Sequence, residues 1–170
     1  VVLGLGLIFL AIGIIKSAGA GLDPEGGFIE LLALAEGYPL WIALITTVLA
    51  VALQSSTAAI ALVIGLAASD VVGLRLALAT VIGANVGIGV STLLLGWATI
   101  EARRMALGNL LAKAAVAALV LAAMPVILEL VQQVPGGLDK QIAAAHTGFN
   151  IVLALVALPL LAPLEALVRL

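Results

Sequence analysis

The chain has 170 residues, 65% of them hydrophobic and 9% charged, with a formal net charge of −2 and a mean hydropathy of +1.38. Soluble domains carry about 25% charged residues, so this composition excludes one, and charge dispersed over loops indicates no nucleic-acid partner. The absence of cysteine excludes disulfides, thiolate metal sites and cysteine nucleophiles.

Lipid forbids open strands, and the apolar segments are too long and too unalternating for barrel strands. The fold class is therefore an all-α polytopic membrane protein, read as a single membrane domain over residues 1–170. Residues 1–17 predict a transmembrane helix carrying Gly4, Gly6 and Gly13, small residues expected to form a helix-packing seam. Val1 stands in mid-run, with neither Met nor a basic segment before it, which reads as a piece of a longer protein rather than a signal peptide. Lys16 ends the run and is expected to snorkel to the interface. Residues 18–37 turn to Gly, Pro and acid (Asp23, Pro24, Glu25, Glu30, Glu36). Within them Phe28–Glu36 predicts a short interfacial helix, its carboxylates read as solvated charges.

The rest of the chain is organised around residues 38–68. Apolar arms Leu40–Leu53 and Ala58–Ala68 flank Gln54-Ser55-Ser56-Thr57. At 1.5 Å per residue the arms span roughly 21 and 17 Å, each short of the ~30 Å hydrocarbon core. Irregular backbone at membrane depth survives only where protein or a water-filled cavity surrounds it. The expectation is a re-entrant antiparallel hairpin with the tetrad at a buried tip. A continuous but unwound crossing is the competing geometry.

Ser69–Gly73 reads as a turn. Residues 74–98 predict a broken helix, interrupted at Gly83-Ala84-Asn85-Val86-Gly87-Ile88-Gly89, because each glycine costs a helix roughly 1 kcal/mol relative to alanine. After a charged loop, residues 105–128 predict a transmembrane helix containing Asn109, Lys113 and Pro125. Residues 142–164 predict another, containing His146 and Asn150. Lys113 suits either an interface or a cavity role. The Asn109–Lys113 and His146–Asn150 pairs, each four residues apart, read as polar seams between helices. The Arg103–Arg104 pair and Arg169 place their loops in the cytoplasm and the acidic segment outside, with Lys16 and Arg75 counting against it.

The two breaks are where chemistry can reside. A helix start presents unpaired amides that attract anions, and hydroxyls such as those of Ser55, Ser56 and Thr57 suit its cap. Helix-end carbonyls, with the Gln54 and Asn85 side-chain oxygens, suit a hard cation such as sodium. The alternative is that serines and threonines merely cap a kink.

These residues resemble a family. Gln54-Ser55-Ser56-Thr57-Ala58-Ala59, then Arg75-Leu76-Ala77-Leu78-Ala79 leading to Ile82-Gly83-Ala84-Asn85-Val86-Gly87, look like the type II or bacterial sodium-phosphate cotransporters. Ala145-His146-Thr147-Gly148-Phe149-Asn150 is similar to the segment that follows the second of that family's two inverted repeats. Ile88-Gly89 replaces the family's threonine pair, with Ser91 and Thr92 the next hydroxyls. The resemblance implies one transporter repeat, completed by a second repeat or a second copy. It implies substrate-binding Ser55, Ser56, Thr57, Asn85 and Gly87. Sodium, the coupling ion, would be held by Gln54, Ser55, Asn85 and Thr92, with no other cofactor. The expected function is secondary active transport in the bacterial inner membrane, coupling sodium entry to uptake of phosphate or a related oxyanion. A non-transporting membrane scaffold is the alternative. An intramembrane hydrolase using Ser55 or Ser56 with His146 is weaker, since no acid is placed to orient the histidine.

Overall fold

The computed structural model describes residues 2–23 and 27–160, together with Ala162 and Ala166. Pro24, Glu25, Arg169 and most of the expected last span beyond residue 160 lie outside them. Among the described residues eight α-helices follow in order: α1 Val2–Ala20, α2 Gly27–Ala35, α3 Pro39–Leu53, α4 Ser56–Ala67, α5 Leu74–Leu95, α6 Ile100–Ala122, α7 Met124–Gln132 and α8 Leu138–Ala157. A 3-10 turn at Gly96–Ala98 links α5 to α6. No strand occurs among the described residues. Val2–Ala20, Leu74–Ala98, Ile100–Ala122 and Leu138–Ala157 are each long and apolar enough to cross a membrane.

The short helix α2 meets α3 at a bend of 112°. Pro39 at the first position of α3 explains the abrupt start, because proline tolerates a helix N-terminus and disfavours helix in the residue before it. The α3 and α4 helices are the two arms of a hairpin. The Glu36 carboxylate lies against Gly73, which puts the entry to α3 beside the start of α5. From there α3 runs alongside α5 in the same direction, Ala43 against Gly83 and Ala50 against Gly87. The chain reverses at Gln54, and α4 returns with Ala59, Ile60, Val63 and Ala67 packed into one core with Ala50, Ala77 and Ala84. It ends at Ala67, whose carbonyl accepts from the Asp70 amide in the turn that opens onto α5. Entry and exit therefore share one end of α5.

The α5 helix is central, and thirteen of its residues are buried. It is one continuous helix, not the broken one expected over residues 74–98. The reason is that Gly83 and Gly87, four apart on one face, are a close-packing seam of the small-xxx-small kind. A methyl on Gly83 would meet the backbone of Ala43, and one on Gly87 would sit 2.6 Å from the Thr47 carbonyl and 2.7 Å from Ala50 Cβ. Thr47 Oγ1 donates to the Gly83 carbonyl at 3.1 Å across this seam. The glycines thus bring two backbones together, and the contact offsets their helix-propensity cost.

Other expected boundaries shift for local reasons. The Thr99 hydroxyl caps the Ala102 amide, so α6 begins at Ile100 and absorbs the expected charged loop. Arg103 stacks over Trp97 at 4.3 Å there. The span expected over 105–128 ends at Ala122, and Pro125 lies in the first turn of α7. The last helix starts early, at Leu138, following Gly136 in a left-handed conformation. On α1 the expectation also reverses. Gly4, Gly6 and Gly13 face no neighbour among the described residues, and α1 instead packs through Ile12 and Ile15 against Gly65 and through Gly19 against Ser69.

Candidate functional site

The hairpin tip follows from local hydrogen bonding. Gln54 sits in the left-handed region, φ 51° and ψ 29°, at the C-cap of α3. Its amide donates to the Val51 carbonyl at 3.2 Å, and the Ser55 amide donates to Ala50 at 3.3 Å. That pair of bonds is a Schellman motif, which ordinarily places glycine where Gln54 stands. Ser55 is extended and caps α4, its hydroxyl accepting from the Ala58 amide at 3.1 Å. The Ser56 and Thr57 amides remain as the free donors of that helix start. The tip is less covered than expected: Ser55 and Ser56 are half-buried, while Gln54 and Thr57 are exposed. Nothing among the described residues covers Gln54 and Thr57.

Across the hairpin, Gly87 is buried against α3 as described. Two residues before it, Asn85 is turned by about 200° around α5, so its side chain leaves by the opposite face. It is 1% exposed. Its Nδ2 donates to the Val81 carbonyl at 2.8 Å and lies 3.3 Å from His146 Nδ1 on α8. Asn150 Nδ2 lies 3.5 Å from the same ring nitrogen and donates to the His146 carbonyl at 2.9 Å. Lys113 of α6 is also buried, with its stem against Gly89. It does not snorkel out. The Asn85–His146–Asn150 bonding is thus a polar seam between α5 and α8.

The expected site residues therefore fall into two groups. Gln54, Ser55, Ser56 and Thr57 form the tip, with Gly87 one turn below it on the facing helix. The Asn85 side chain, assigned on sequence to that same cavity, is instead engaged with His146 behind α5. Thr92, the expected cation ligand, is exposed and bonded to the Ile88 carbonyl at 2.7 Å. The Asn85–His146 pairing escaped the sequence reading, although helical phase turns Asn85 away from Gly87 once α5 is taken as unbroken. An apolar cavity of about 200 Å³ lies among α5, α7 and α8, lined by residues such as Leu78, Ile82, Val131 and Phe149. It offers no donors to replace the hydration of an oxyanion. Among the described residues no group of three His, Asp or Glu side chains is placed to hold a metal ion.

These features define an all-α polytopic membrane protein whose α3–α4 hairpin presents a polar tip beside a glycine-seamed helix. A family model described as Na+/Pi-cotransporter matches residues 25–161. The chain belongs to that family. Relatives in Escherichia coli K12 and Shigella flexneri, provisionally named inorganic phosphate export protein YjbB, are each 33% identical over 163 residues. That stretch is 95% of this chain and 30% of theirs. A protein of the same name in Salmonella typhimurium is 32% identical over 158 residues, 92% of this chain and 29% of its own. The chain thus spans about a third of the length of these relatives; its own apolar helices make it an integral membrane protein, and their bacterial sources fit the inner membrane. No solved structure matches it.

Proposed function

We propose that this chain is one repeat of a secondary transporter that moves inorganic phosphate across the membrane, coupled to sodium. The observation that carries the reading is the hairpin tip. An anion crossing ~30 Å of hydrocarbon must exchange its hydration for fixed donors. The start of α4, with the Ser55 cap, the Ser56 hydroxyl and two free amides, gathers such donors where the helix dipole favours negative charge. The closing carbonyls of α3, with the Gln54 side chain, supply the oxygen ligands a sodium ion needs. Gly87 keeps the facing backbone close. The exposed tip is completed by a second repeat or a second copy, since lipid cannot satisfy it.

The name of the relatives favours a second reading of direction, phosphate leaving the cell rather than entering. A scaffold role would leave the donors at the tip without an occupant.

The test is phosphate flux in vesicles carrying the full-length transporter, with sodium imposed on either side. Sodium-dependent flux is expected. Ser56→Ala should weaken phosphate affinity between roughly threefold and a hundredfold, the loss of one hydroxyl donor to a neutral or charged partner. Flux indifferent to sodium refutes the coupling, and no flux in either direction refutes the transporter reading.

A further inference from the structure

Ser91 lies on α5, four residues beyond Gly87 and seven beyond Ala84. Those spacings put the three on one face of the helix. Gly87 packs on α3 and Ala84 belongs to the core shared with Ala50, Ala59 and Ile60, so that face is turned toward the two hairpin arms. Ser91 is one turn further along. Ala50 is level with Gly87, so one turn further along α3 is Gln54, where the chain reverses. Ser91 therefore stands opposite the tip. It is 3% exposed, and its hydroxyl has no hydrogen-bond partner.

A hydroxyl inside a membrane helix ordinarily bonds the carbonyl one turn back. Thr46, Thr47, Thr92 and Thr147 each do so here, at 2.7–3.0 Å. Ser91 does not. An unsatisfied buried donor costs free energy, and the hairpin it faces is also where the Ser56 and Thr57 amides at the start of α4 are unpaired. We propose that Ser91 is a ligand of the transported oxyanion, closing the substrate seat from the α5 side. It supplies a donor in a helix where Ile88-Gly89 brings none. The amide-rich helix start beside it selects an anion rather than the coupling cation.

This inference rests on the tip being the phosphate site, so the experiment separates the two. Ser91→Ala and Ser56→Ala are compared with wild type in the full-length transporter, by phosphate and sodium titrations of flux and by melting without phosphate. Ser91→Ala removes only an unpartnered hydroxyl, so melting should be unchanged or higher. Phosphate half-saturation should rise between roughly threefold and a hundredfold, with the sodium half-saturation unmoved. If Ser56→Ala weakens phosphate binding and Ser91→Ala does not, the assignment of Ser91 is overturned while the tip site stands. A shift confined to sodium, or a lowered melting temperature with unchanged affinity, overturns it too. If neither variant shifts affinity, the tip reading fails and Ser91 with it.

Discussion

Gly83→Ala is the sharpest probe of how the hairpin is held. The added methyl would lie 2.9 Å from both Cα and the carbonyl carbon of Ala43, where ordinary contact begins near 3.4 Å. The obstacle is backbone, so no rotamer change relieves it. The Ala43 carbonyl oxygen lies closer still, so α3 must withdraw at this point, and the 3.1 Å bond from Thr47 Oγ1 to the Gly83 carbonyl is strained or lost. Overpacking costs about 1–3 kcal/mol and the lost bond about 0.5–1.5 kcal/mol. Alanine returns about 1 kcal/mol of helix propensity. The net is a destabilisation of about 1–3 kcal/mol, or a melting temperature lower by roughly 3–10 °C. Gly108→Ala is the control, because nothing lies within 4 Å of that position. It should leave melting unchanged or raise it. The assay is thermal unfolding in detergent together with phosphate flux. If Gly83→Ala melts and transports like Gly108→Ala, the close α3–α5 contact does not exist as described.

Three other outcomes follow from the geometry. Gln54→Gly relieves a left-handed conformation that costs an ordinary L-residue about 1–2 kcal/mol, so melting should rise slightly while the sodium dependence of flux weakens; a sodium titration beside a melting curve checks both halves. Ser55→Ala removes the α4 cap and should cost about 1 kcal/mol, read as a melting temperature lower by a few degrees. His146→Ala strips Asn85 of its partner on α8 at about 1–3 kcal/mol, so melting should fall while phosphate half-saturation stays near wild type in the protein that remains folded.

The hairpin was legible because its signals are chemical. Four adjacent hydrogen-bonding side chains between two short apolar arms cannot continue a lipid-facing helix, and Ser55 is the residue type that caps one. The glycines were not legible, because a glycine that loosens a helix and one that seats a neighbour look the same in one dimension. Gly83 and Gly87, read as a break, turned out to be a seam; Gly4, Gly6 and Gly13, read as a seam, touch nothing among the described residues. Only the position of α3 decides between the readings. The error carried forward to Asn85. An unwound backbone has no helical phase, so nothing in the sequence directed that side chain away from Gly87 until α5 proved continuous. Lys113 was undecided for a related reason, since its four-carbon stem reaches either the interface or the interior, and Gly89 supplies the space that keeps it inside.

The bare tip also bears on how such a protein is made. A re-entrant segment has no straight path into lipid, because its reversal cannot leave the aqueous phase until other protein shields Gln54 and Thr57. Helices such as α5 and α6 can partition as they emerge during synthesis. If the proposed second repeat or second copy covers the tip, the α3–α4 hairpin waits near the headgroups and docks along the glycine seam when that cover arrives. Insertion of the hairpin is then an assembly step, timed by the partner and not by the order in which the chain is translated. Produced without that partner, this stretch should anchor in the bilayer through its spanning helices while the hairpin stays open to proteases and to water-soluble labels.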